Sequence, residues 1–91
     1  MNNSSSERFS SPGALREFTL ETAAQLHAAG LPEAGEIMAA AANLVTGSGW
    51  EWLGELGVAA ASVRKRFRLP DGIAGRVARI RKTATSRQPY G

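Results

Sequence analysis

Apolar residues recur at intervals of three and four along most of the chain, and this spacing predicts helices rather than strands. The first helix begins with Ser11 as its N-cap and Pro12 as its first residue, and it ends before Gly30. The second helix opens with Pro32 and ends at Gly47. The residues expected to face inward are Leu15, Phe18, Thr22, Leu26 and Ala29 in the first helix, and Ala34, Ile37, Met38, Ala41, Leu44 and Val45 in the second.

The second half of the chain predicts two further helices. A regular apolar stripe indicates a single third helix over about residues 49–68, and its members are Leu53, Leu56, Ala60, Val63 and Phe67. A fourth helix follows Pro70 and frays near Thr83, with Arg76 and Arg79 on its outer side and an inner stripe of Ile73, Val77 and Ile80. Four helices joined by short connections predict an all-α fold, a compact bundle.

The two ends of the chain differ in composition from the predicted bundle. Residues 1–10 are rich in Ser and Asn, which predicts a flexible N-terminal arm. Within it, Phe9 is the side chain that could fold back on the first helix as a hydrophobic staple. Residues 84–91 are polar and predict a flexible C-terminal tail. The expected organisation is one helical domain over residues 11–83 between two flexible ends.

Charge is distributed unevenly along the chain. Nine of the eleven Lys and Arg residues lie after position 63, where Asp71 is the only acidic residue, so residues 64–91 carry a formal charge of +8. Residues 1–63 contain two basic and seven acidic residues, which gives a formal charge of −5. This asymmetry indicates a polyanionic partner or an acidic protein surface. We expect the binding surface to consist of Arg64, Lys65, Arg66, Arg68, Arg76, Arg79, Arg81 and Lys82.

One segment of the third helix resembles a known motif. Residues 52–67, WLGELGVAAASVRKRF, resemble the helix-turn-helix signature of bacterial repressors. The resemblance implies that Gly57 supplies a positive φ at a turn, and that Ser62 and Val63 belong to a recognition helix whose flanking basic residues meet DNA. The alternative, which the regular apolar stripe favours, is a continuous helix in which Gly57 permits close packing. Either interpretation keeps the basic cluster after Val63 together.

Two apolar residues lie off the inner stripe of the third helix. Trp50 either covers the start of this helix against the second helix or serves as an exposed anchor for a partner, because half-exposed tryptophans are frequent interface hot spots. Val58 also projects away from the inner stripe. These two residues are the candidates for a protein interface.

The residue types that catalysis requires are scarce in this sequence. The chain has no cysteine, which excludes a disulfide or a thiolate nucleophile and fits a reducing compartment such as the cytoplasm. Its single histidine, His27, has no partner at the spacing of a metal site or a triad. No apolar stretch approaches the ~20 residues that span a bilayer. We therefore expect no enzymatic activity, no metal, no cofactor and no membrane association.

Two functions remain. The primary hypothesis is a non-enzymatic cytoplasmic protein whose basic C-terminal half binds nucleic acid, mainly at phosphates. The alternative is a small interaction module, such as an adaptor, an inhibitor or a complex subunit, that docks on an acidic protein or ribonucleoprotein surface. The uneven charge also permits a homodimer, with the acidic first helices of one copy against the basic helices of another. The abundance of Ala, Gly and Arg over Lys is typical of GC-rich bacterial or phage genomes.

Overall fold

The structure, a computed structural model, describes residues 8–91. It confirms the predicted all-α fold, and within the described residues it contains four helices. These are α1 (Pro12–Ala28), α2 (Pro32–Asn43), α3 (Gly49–Arg66) and α4 (Asp71–Ala84).

Local sequence signals explain where two of the helices begin and where one of them ends. Ser11 caps α1, since its side-chain oxygen accepts a hydrogen bond from the backbone N–H of Ala14 at 3.1 Å. Ser48 caps α3 in the same way, accepting from the N–H of Glu51 at 3.2 Å. Gly30 follows α1 with a φ of 83°, a backbone conformation that glycine adopts without steric cost. The predicted helix starts are therefore confirmed.

The helices pack in a ring around one core. α1 packs mainly on α2, α3 on α4, α2 on α3 and, less extensively, α1 on α4. Each helix contributes its apolar stripe to the centre, as its spacing predicted. The fully buried side chains of the core include Leu15, Leu26, Met38, Leu56, Val63, Val77 and Ile80. Ala29, which was expected to belong to the inner stripe of α1, instead lies exposed just beyond the end of the helix.

One glycine sets how closely α1 and α2 approach each other. A Cβ atom at Gly35 would lie 2.8 Å from the backbone carbonyl oxygen of Ala23 and 2.6 Å from Cδ2 of His27. Real Cβ contacts are longer than this, so a side chain at position 35 would force the two helices apart. The glycine therefore serves the packing of the bundle.

The helix-turn-helix interpretation is wrong, because α3 runs without a break from Gly49 to Arg66. Gly57 lies buried inside it, and Gly30 is the one glycine of residues 8–91 with a positive φ. A Cβ at Gly57 would lie 3.4 Å from the Cβ of Ala84, so Gly57 lies directly against the end of α4. Continuous burial of the apolar stripe outweighs the modest cost of one interior glycine.

The second helix ends earlier than its apolar pattern predicted. α2 stops at Asn43, and Leu44 and Val45, both expected to face inward, are instead 44% and 93% exposed. Two contacts from other helices fix this end. The indole Nε1 of Trp52 donates to the carbonyl oxygen of Ala42 at 3.2 Å, and a guanidinium nitrogen of Arg16 donates to the side-chain oxygen of Asn43.

Both ends of the described chain pack on the bundle. The prediction that Phe9 folds back on α1 is confirmed, since Phe9 is buried and its ring lies 5.0 Å from that of Phe18 in an edge-on arrangement. Phe9 also pairs with Tyr90 in a short parallel β-bridge, and the N–H of Gly91 donates to the Phe9 carbonyl oxygen at 3.0 Å. The segment predicted as a flexible tail thus lies against the predicted arm. Residues 1–7 lie outside the described part of the chain.

Candidate nucleic-acid interface

The structure divides the eight predicted binding residues into two groups. Six lie on the surface, near the C-terminal ends of α3 and α4. The other two, Arg76 and Arg79, were expected to point outward from α4, and both prove to be engaged in contacts between α4 and the N-terminal part of the chain. These two arginines are treated first, because their placement changes the extent of the surface.

Arg76 joins α4 to α1 through its guanidinium group. Its central carbon lies 3.8 Å from the centroid of the Phe18 ring, a cation–π contact. Its Nε donates to the hydroxyl of Thr22 at 2.9 Å, and one terminal nitrogen donates to the Phe18 carbonyl oxygen and to Glu21, each at 3.2 Å. The side chain is only 24% exposed. Arg76 is therefore a structural residue with little surface to offer a ligand.

Arg79 extends the same arrangement toward the N-terminus. Its guanidinium carbon lies 4.2 Å from the ring centroid of Phe9 and 5.0 Å from that of Phe18. We refer to Phe9, Phe18, Arg76 and Arg79 as the arginine–phenylalanine cluster. The cluster holds the N-terminal segment, α1 and α4 together, so the expectation that both arginines face outward is wrong.

The basic residues that remain on the surface form two patches. The larger, the α3 basic end, comprises Arg64, Lys65, Arg66 and Arg68, and all four are exposed. Within residues 8–91, Arg66 is the one member that forms a salt bridge, at 3.5 Å from Glu33, and its guanidinium also lies 5.4 Å from the Phe67 ring. Arg64, Lys65 and Arg68 make no salt bridge with a described residue. Their charges are thus presented to solvent.

The smaller patch, the α4 basic end, comprises Arg81 and Lys82, which are also exposed. Ala84, two residues after Lys82, contacts Gly57 in the middle of α3. The patch therefore lies on a helix that packs alongside α3. Both patches lie at helix C-termini, where positive side chains interact favourably with the negative end of the helix dipole.

The two apolar interface candidates are both exposed on α3. Trp50 is 65% exposed and Val58 is 66% exposed. The interpretation in which Trp50 covers the start of α3 against α2 is wrong, since Trp52 makes that contact through its indole N–H. Trp50 and Val58 remain available to a partner.

Trp50 also borders an apolar groove that the sequence did not reveal. The groove has a volume of about 340 Å³ and is lined by Pro12, Gly49, Trp50, Trp52, Leu53, Arg87, Pro89 and Tyr90. Burial raises the pKa of the Tyr90 hydroxyl above its ordinary value. The apolar pair Pro89 and Tyr90 within an otherwise polar segment was the signal for this site, because such residues seldom stay fully hydrated.

Metal-binding clusters and membrane-spanning helices were looked for among the described residues. Among residues 8–91, no group of three or more His, Asp or Glu side chains is arranged to hold a metal ion. None of the helices found there is long and apolar enough to cross a bilayer. His27 lies exposed on α1 beside Gly35 of α2.

Comparisons with protein-family models, with curated proteins and with solved structures find no match to this chain. The function is therefore proposed from the surface that the fold presents.

Proposed function

We propose that this protein is a non-enzymatic nucleic-acid-binding protein that contacts phosphates through the α3 and α4 basic ends. The observation that carries the proposal is the exposure of Arg64, Lys65 and Arg68 without a salt-bridge partner among the described residues. Charged side chains that are not neutralised internally are available to replace the counterions of a polyanion. The cytoplasmic location expected from the sequence remains part of this proposal.

The two basic patches lie on α3 and α4, helices that pack against each other. Each of their exposed charges can replace a counterion at a phosphate. The two patches consist of Arg and Lys, residue types that supply many of the hydrogen bonds and ion pairs to phosphate oxygens in complexes with nucleic acids.

The test is a titration of duplex DNA and of single-stranded RNA at several salt concentrations, read by fluorescence anisotropy. Wild-type binding should weaken steeply between about 50 and 200 mM salt. A triple variant, Arg64→Gln, Arg68→Gln and Arg81→Gln, removes three exposed charges and should lower the magnitude of the log–log salt slope by about 3. Circular dichroism should show an unchanged helix content, because all three side chains are exposed.

A charge-matched control distinguishes local contact from a loss of net charge. Ala24→Glu, Gln25→Glu and Ala40→Glu also lower the net charge by three, at exposed positions on α1 and α2. This control should retain most of the wild-type slope. Equal loss in both triple variants would mean that only the overall charge attracts the polyanion, and the proposed site would be wrong.

A second candidate is the small protein-interaction module. The exposure of Trp50 and Val58 favours it, since surface tryptophans are frequently the anchors of protein interfaces. An acidic protein surface would meet the same basic patches and would replace nucleic acid as the partner. Absence of binding to both DNA and RNA at low salt would favour this candidate over the first.

A further inference from the structure

The outer face of α3 carries opposite charges at equal distances from an exposed apolar centre. Val58 is 66% exposed and lies near the middle of the helix. Glu51 precedes it by seven residues and Lys65 follows it by seven, and both are exposed. Seven residues complete nearly two helical turns, so all three side chains share one face. Gly54 and Ala61 lie between them on the same side.

Nothing within the described fold covers this face. α2 and α4 pack on the opposite side of α3, where Leu53, Leu56, Ala60 and Val63 are buried. An interior glycine destabilises a helix relative to alanine, yet a Cβ at Gly54 would meet no atom within 4 Å. The packing that explains Gly35 and Gly57 therefore gives no reason for Gly54. A small residue here leaves room for the close approach of another helix.

The charge pattern matches a second copy of the same helix. When two α3 helices pair in an antiparallel sense about a two-fold axis at Val58, Glu51 of each copy comes opposite the partner's Lys65. Symmetry produces this ion pair twice and places one Val58 against the other at the centre. Parallel pairing would instead bring each Glu51 near the partner's Glu51. We propose that this protein forms a homodimer through antiparallel α3 helices centred on Val58.

Other occupants fit this face less well. A nucleic acid or an acidic protein surface would be repelled by the exposed carboxylates of Glu51 and Glu55, which lie in the N-terminal half of α3. A basic partner would be repelled in the same way by Lys65. A second copy of α3 places a charge of opposite sign against both Glu51 and Lys65. Lys65 belongs to both surfaces, and in the dimer its charge pairs with Glu51 of the other copy. Arg64 and Arg68 of the α3 basic end are not needed for these ion pairs, so the inference does not rest on the proposed nucleic-acid binding.

Sedimentation velocity of the full chain, without nucleic acid and over a wide range of protein concentration, tests the proposal. The wild type should pass from monomer to dimer as its concentration rises. Val58→Arg places two like charges at the axis and should weaken dimerisation by at least about tenfold. Because Val58 is exposed, this variant should keep its helix content.

Charge reversal tests the antiparallel register itself. Glu51→Lys or Lys65→Glu alone should weaken the dimer by about tenfold, since each creates two like-charged contacts. Both changes in one chain exchange the charges of each pair and should restore affinity to within about threefold of the wild type. Glu36→Lys, an equal change of charge at an exposed position on α2, is the matched control and should leave dimerisation unaltered.

Three results would overturn the proposal. The first is a wild type that stays monomeric at every concentration. The second is a dimer that Val58→Arg does not weaken, because this would place the interface elsewhere. The third is a double charge reversal that fails to restore the dimer while circular dichroism shows intact helices. None of these results depends on whether the protein binds DNA or RNA.

Discussion

Two groups of arginines in the same charged half of the chain occupy opposite environments. In the arginine–phenylalanine cluster, Arg76 and Arg79 lie against aromatic rings and hold α4 to the N-terminal part of the chain. At the α3 basic end, Arg64 and Arg68 face solvent without a salt bridge to any described residue. The guanidinium group is identical in both places, and its role follows from whether it packs between α4 and the rings of Phe9 and Phe18.

The comparison shows that counting basic residues in the sequence overestimates how many of them are available to bind a polyanion. A guanidinium is weakly hydrated and planar, so it stacks on an aromatic ring at little desolvation cost. In this position Arg76 also donates hydrogen bonds to the Thr22 hydroxyl and to the Phe18 carbonyl oxygen. Once such contacts are made, the charge contributes mainly to stability. Variants of the two groups should therefore affect different measurements.

Removal of the ring at the centre of the arginine–phenylalanine cluster should have the largest effect. Phe18→Ala deletes the surface on which Phe9, Arg76 and Arg79 pack, and we expect a loss of about 3 kcal/mol in the free energy of unfolding. Urea denaturation followed by circular dichroism measures it. Leu20→Ala, at a half-buried position of the same helix outside the cluster, is the control and should cost about 1 kcal/mol. Equal losses would show that the cluster adds nothing beyond ordinary burial.

Exchange of arginine for lysine should separate the two groups more sharply. Arg76→Lys keeps the charge and loses the planar stack and the forked hydrogen bonds, so the free energy of unfolding should fall by about 2 kcal/mol. Arg64→Lys should change it by less than about 0.5 kcal/mol, because the side chain is exposed. Both values come from the same denaturation experiment. An Arg76→Lys protein with the same free energy of unfolding as the wild type would contradict the structural role assigned to the guanidinium.

The smallest effect concerns alkaline pH and the pairing of the two chain ends. Burial raises the pKa of Tyr90, so the folded state favours the neutral phenol. This contribution to stability is fully present below the unfolded pKa of about 10 and is lost as the pH rises through the folded pKa. Tyr90→Phe should therefore lose less stability than the wild type between pH 8 and pH 11, compared in urea denaturation. Identical losses in both proteins would mean that Tyr90 titrates normally.

Local signals in the sequence were sufficient to predict the helices. The serine caps of α1 and α3 and the apolar stripe of α3 act over a few residues, and all of them appear in the structure. The contact of Phe9 with α1 was also predictable, because an apolar residue just before a helix tends to fold back on it, but its partner Phe18 lies further along α1 than a hydrophobic staple reaches.

Contacts between distant residues account for what the sequence did not reveal. Arg76 turns toward a carbonyl oxygen that lies 58 residues earlier in the chain, and no local pattern records that neighbour. The apolar spacing of α2 continues through Leu44, but the contacts that define its end come from Trp52 and Arg16 on other helices. The exposed basic end of α3 was predicted because an uninterrupted helix fixes which of its residues face away from the core.

The bridge between Phe9 and Tyr90 joins the segment before α1 to the segment after α4. Segment ends are usually the first parts of a protein to fray, and each end usually frays independently of the other. Here the N–H of Gly91 is bonded to the carbonyl oxygen of Phe9, so exposure of one segment removes a neighbour from the other. We therefore expect the segment before α1 and the segment after α4 to open together, and exchange of the Gly91 amide with deuterium would report on both.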